Sequence, residues 1–157
     1  MESLGVYVAE AAACGLFAAS IATDVRWRRI PNEVPLMLLA FFAIYAASGA
    51  AGPAGGLWQH VAVGTVILAA GFALYLTGQF GAGDTKLLAV AGLWIGPSLA
   101  WLGLFLCGLA AFAFTLCVVA LLPLERTRRL RAELPFAVAI APPAIIVVTL
   151  RALSDGI

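Results

Sequence analysis

Residues 81–98 read Gly-Ala-Gly-Asp-Thr-Lys-Leu-Leu-Ala-Val-Ala-Gly-Leu-Trp-Ile-Gly-Pro-Ser. An aspartate and a lysine stand near the head of this stretch, and apolar residues follow as far as Leu122. A single run from Leu87 to Leu122 is too long for one membrane span, since about 20 residues cross the hydrocarbon core. Gly96-Pro97-Ser98 supplies the turn that divides it. This predicts a short fourth span, Thr85 to Gly96, and a fifth, Ser98 to Leu122. A span that short requires its aspartate-bearing start to lie below the membrane surface, lining a wet cavity where irregular backbone is tolerated.

The remaining sequence has the same character. Of 157 residues, 64% are hydrophobic and 11% charged, and the mean hydropathy is +1.06. That is too apolar for a soluble domain, and the length fits one domain, residues 1–157. Further apolar stretches run from about Leu4 to Thr23, Val34 to Gly49, Leu57 to Thr77 and Leu134 to Leu153. The expected fold is therefore an all-α polytopic membrane protein of six helices. A net charge of +1 provides no global basic field, so nucleic acid is not an expected partner; the lipid bilayer is.

Charge placement assigns sides. Arg26, Arg28 and Arg29 follow the first stretch, Lys86 opens the fourth, and Arg126, Arg128, Arg129 and Arg131 separate the fifth from the sixth. With six spans all of these fall on one side, the cytoplasm by the positive-inside rule. Arg151 alone falls on the other. Both termini are then expected outside, as is the uncharged loop Ser48–Gly56. Glu2, with no Lys or Arg near it, marks the first stretch as a retained span rather than a secretory signal. Cys14, Cys107 and Cys117 lie inside apolar runs without metal-ligand spacing, so they read as packing residues, and no metal or cofactor is expected.

Two aspartates break the apolar pattern. Asp24 ends the first stretch and precedes Val-Arg-Trp-Arg-Arg-Ile30-Pro31-Asn32. Asp84 closes Gly81-Ala82-Gly83-Asp84. Ionisable groups at membrane level are functional candidates by default. Two carboxylates that share a small site cannot both ionise cheaply, so near neutral pH the pair can hold one proton. The ionised member can then take a proton from water while the protonated member donates to a scissile carbonyl oxygen. Gly81 and Gly83 are expected to permit positive φ and close backbone approach. Taken singly, Asp84 reads equally well as an N-cap after a glycine-rich turn, and Asp24 as a loop residue paired with Arg26 or Arg28. Lys86 reads as a snorkelling boundary charge. Pro31 suits the entry of the second helix, where Asn32 or Glu33 can satisfy free amides. His60 enters the third span from the outside, a membrane thickness from both aspartates. Glu10 lies fourteen residues from Asp24, about 21 Å along a helix, too far to share a proton. Pro142-Pro143 should kink the sixth helix.

Together the two motifs resemble the type IV prepilin peptidases, membrane aspartic proteases with a Gly-x-Gly-Asp signature. Asp24 with Ile30-Pro31-Asn32 is one match, and Gly81-Ala82-Gly83-Asp84-Thr85-Lys86-Leu87 the other. Leu134-Pro135-Phe136-Ala137-Val138-Ala139 is similar to the small Flp-pilus (tight-adherence) branch. The resemblance implies catalysis by Asp24 and Asp84, with Ile30, Pro31, Asn32, Gly81, Gly83 and Lys86 as supporting motif residues. It implies a prepilin or pseudopilin substrate with a short basic leader, cut after a glycine at the boundary of an apolar helix. It also implies a bacterial inner-membrane location and pilus or secretion assembly machinery as a partner. The cysteine-rich insert of the larger bifunctional members is missing, so neither their methyltransferase activity nor a zinc site carries over. From another class, a proton-coupled transporter or channel component would use Asp84, Lys86 and Glu10 as a relay. An assembly scaffold would use the aspartates as caps.

Overall fold

The computed structural model describes residues 2–52, 54–78, 80–121 and 136–155. The arginine-rich stretch 126–131 and Leu134-Pro135 lie outside them. Five helices are described: α1 Glu2–Trp27, α2 Glu33–Ala47, α3 Ala54–Leu76, α4 Ala82–Leu121 and α5 Ala137–Asp155. The all-α expectation holds, with no strand among the described residues. By length and composition, three helices suffice to cross a membrane, over Leu4–Trp27, Gly56–Leu76 and Ala82–Cys117. This differs from six spans. The second expected span is a helix of only 15 residues, about 22 Å long. The expected fourth and fifth form one broken helix.

The break in α4 lies at Gly96, with φ 71 and ψ 178 inside otherwise helical backbone. Such a conformation is essentially confined to glycine, and Pro97 removes the next donor. The second limb (97–121) folds back along the first (82–95). Leu88, Gly92 and Ile95 share one small cavity with Ala100, Gly103 and Cys107, and a Cβ on Gly103 would meet Ile95. Gly96-Pro97-Ser98 therefore makes the turn its composition predicts.

Breaking a helix strands the carbonyls of its last turn. Here side chains from other helices supply the partners. His60 Nδ1 donates to Leu93 O at 2.7 Å. Arg151 donates through Nη1 to Trp94 O at 3.1 Å and through Nη2 to Ile95 O at 2.6 Å. The His60 ring also fills the space a side chain at Gly96 would need. His60 and Arg151 thus hold the turn end of α4, away from Asp84. The first limb is short, so Leu93 lies only nine residues beyond Asp84, about 14 Å along the axis. That is less than the membrane thickness expected for His60, yet still too far for proton sharing.

The first limb of α4 forms the middle of the core. Trp94 and Leu87 are fully buried with Phe17, Leu38 and Tyr45, and Trp94 Nε1 donates to Leu38 O at 3.1 Å. Missing side chains let α3 approach closely. A Cβ on Gly64 would sit 3.2 Å from Ala89 O, and one on Gly71 2.9 Å from the Thr85 side chain. Small residues at a contact allow such backbone approach. α5 stays helical through Pro142 and Pro143.

Candidate active site

Asp24 belongs to the last turn of α1, which runs past the expected end at Thr23 to Trp27. The helix stops where Arg28 takes a left-handed backbone, φ 52. The Arg28 N–H donates to Asp24 O at 2.8 Å, as in an αL terminus. The Asp24 side chain is only 6% exposed, so it is not a solvated loop residue. Its Oδ2 accepts the Ala137 N–H at 3.0 Å. Ala137 opens α5, whose first-turn amides have no partner within the helix and whose dipole favours negative charge there.

Asp84 is the third residue of α4, because the helix begins at Ala82. The expected N-cap role therefore falls to Gly81. The Asp84 carboxylate reaches back to accept the Gly81 N–H, the move made by the third residue of a capping box. Thr85 contributes on the same turn: its N–H and its hydroxyl each donate to Gly81 O at 3.0 Å. Thr85 is buried, and its hydroxyl also approaches Gly71 O, at 3.3 Å, tying α3 to this end of α4.

The fold brings the two aspartates together. Asp24 and Asp84 lie within electrostatic reach of each other, whereas Glu10 is buried farther back along α1. The surrounding chain segments are fastened to one another. The Phe80 and Phe136 rings, one residue before Gly81 and Ala137, stand 5.2 Å apart.

The remaining motif residues join the loop after α1 to the start of α4. Ile30 packs on Gly83, where an added Cβ would meet the Ile30 Cβ at 3.3 Å. Lys86 Nζ donates to Asn32 Oδ1 at 2.9 Å. Lys86 is therefore a tie between the motifs rather than only a snorkelling charge. Asn32 occupies the N-cap position of α2 but makes no side-chain capping bond, which corrects its expected role. Pro31 is exposed, and its carbonyl accepts the Val34 N–H at 3.2 Å. Neither Gly81 nor Gly83 has the positive φ expected. The constraint at 81 is the carboxylate itself: a Cβ there would lie 2.5 Å from Asp84 Oδ2, which would have to move.

Sequence reasoning did not assign Ala137, Phe80, Phe136 or Thr85 to this site. Phe136 and Ala137 fall in the segment 134–139, which the sequence singles out by resemblance alone, and that was the one available signal for them. Comparison with known proteins bears on the same region. Residues 11–122 match the model of the type IV leader peptidase family, a stretch that contains both aspartates. No curated protein and no solved structure matches the chain.

Proposed function

This chain belongs to the type IV leader peptidase family, and on that premise we propose that it is a membrane aspartic endopeptidase that removes basic leaders from prepilin or pseudopilin substrates. Asp24 and Asp84 are its catalytic pair. One observation carries the assignment: two aspartates sixty positions apart in sequence, on different helices, lie within electrostatic reach of each other. Two carboxylates at one site can hold one proton between them. The ionised carboxylate takes a proton from water as its oxygen attacks the scissile carbonyl, and the protonated carboxylate donates to the carbonyl oxygen. The tetrahedral diol then collapses: the carboxyl that took the water proton gives it to the leaving amine, and the carboxylate that had donated recovers a proton from a diol hydroxyl, which restores the singly protonated pair. No covalent enzyme intermediate forms.

The supporting residues fix this geometry. Ala137 N–H holds Asp24, Gly81 N–H holds Asp84, and Lys86–Asn32 with Ile30–Gly83 keeps the two motifs in register. The aspartate end of the bundle faces the cytoplasm, because Arg26, Arg28 and Arg29 lie there and cytoplasmic loops carry the arginine excess. In this reading both termini are outside, with α2, both limbs of α4 and α5 all spanning a bacterial inner membrane. Pilus or secretion machinery receives the product, and the sequence likeness points to the Flp branch.

The test is purified protein in liposomes with a model preprotein: a basic leader, a boundary glycine and an apolar helix of about 20 residues. The expected result is one new N-terminus after the glycine, read by mass spectrometry. Proton flux without peptide product would overturn the peptidase reading in favour of a transporter.

A further inference from the structure

A groove on the lipid-facing side begins beside the two motifs. α2 and α3 make no substantial contact with each other, although α3 packs closely on α4. The gap between them encloses about 820 Å³ and is floored by Ala89, Val90 and Leu93 of α4. Leu39 and Ala43 of α2 wall one side, and Val61 and Leu68 of α3 the other. It follows α2 for 15 residues, about 22 Å. Apart from Thr65, whose hydroxyl donates to Val61 O, its lining is apolar up to the end that Asn32 and Lys86 close, and among the described residues Lys86 is the one charged residue that lines it.

We propose that this groove docks the apolar helix of the substrate itself, with Lys86 opposite an acidic side chain in the first turns of that helix. The proposal rests on the peptidase reading above. Two observations select this occupant over lipid chains. First, the polar end of the groove is built from the motifs that carry the aspartates: Lys86 lies two residues beyond Asp84, about 3 Å along the helix. A helix seated in the groove therefore delivers the peptide just ahead of it to the level of the catalytic pair. Second, the charge is complementary to such a helix at one place. An ammonium has three donors; one is on Asn32, and the mouth of the groove is where an acceptor on the incoming helix would meet the others. Lipid acyl tails carry no acceptor for those donors.

The experiment uses full-length protein in membranes and the model preprotein, made with a single Glu or a single Gln in the first turn of its helix. Photo-crosslinkers are placed at Leu39, at Leu68 and, as a control, at Phe112 on the exposed face of the second α4 limb. Cross-links to the preprotein are expected from positions 39 and 68 and not from 112. Ala43→Trp should raise KM about tenfold with kcat little changed, the signature of lost uniform binding, while Ala113→Trp should leave both unchanged. Changing the preprotein Glu to Gln should raise KM several-fold with wild-type enzyme and have no effect with Lys86→Met. Normal cleavage with cross-links only to lipid, to a second copy of the chain, or equally from all three positions would overturn the docking site alone. So would a Glu-to-Gln effect that persists in Lys86→Met. Absence of any cleavage by the wild type would instead overturn the peptidase reading, and the docking proposal with it.

Discussion

Asp24 and Asp84 differ in what holds them, and that difference gives the residue-scale predictions. Asp84 is held by the backbone of its own turn, with its carboxylate folded over Gly81. Gly81→Ala would push that carboxylate aside. It should lower turnover by about 10²-fold, the scale of a misplaced catalytic group, while the thermal midpoint stays near that of the wild type. Asn32→Ala removes the partner of Lys86. The bond is exposed, so its loss should cost under about 1 kcal/mol of stability; kcat/KM should fall several-fold, as read in a steady-state processing assay. Both carboxylates are legible in the sequence because charge is conspicuous in an apolar chain. The Ala137 amide that holds Asp24 is not legible, because a backbone donor leaves no mark on residue type and the contact spans 113 positions. Asp84 was expected to be the N-cap itself, since a glycine-rich turn does not say at which residue the helix begins.

Among the elements, α4 decides the architecture. Its turn is legible as Gly96-Pro97-Ser98, since glycine and proline punctuate a helix whatever surrounds them. The partners of the broken end are not legible: His60 and Arg151 come from α3 and α5 and meet the turn only through packing. Gly96→Ala should test the turn. It forces a side chain into a glycine-only conformation, a cost of about 1–3 kcal/mol, and into the His60 ring. A lowered melting temperature in detergent is expected; an unchanged one would contradict the tight packing of His60 on the turn. The extent of α2, Glu33–Ala47, agrees with the expected Val34 to Gly49 to within two residues at its end. The helix stops at Ala47, before Gly49 and Gly52 take positive φ.

For the whole molecule, the fold places the arginine-flanked aspartates at one end and the His60–Arg151 network at the other. Orientation in the membrane follows from the proposal that the aspartate end is cytoplasmic. In intact cells, a membrane-impermeant maleimide should label Ser48→Cys and should label Arg29→Cys only after permeabilisation, in a background with the native cysteines replaced. The reverse pattern would invert the sidedness.

The central claim is that Asp24 and Asp84 act as one unit, and the rates of Asp24→Asn, Asp84→Asn and the double variant on the model preprotein test it most directly. Each single change should lower kcat by about 10²–10⁴-fold, the range for general acid–base catalysis, and the double variant should be no slower than the worse single one, because members of one catalytic unit are not additive. Wild-type turnover in either single variant, or losses that multiply in the double variant, would contradict it.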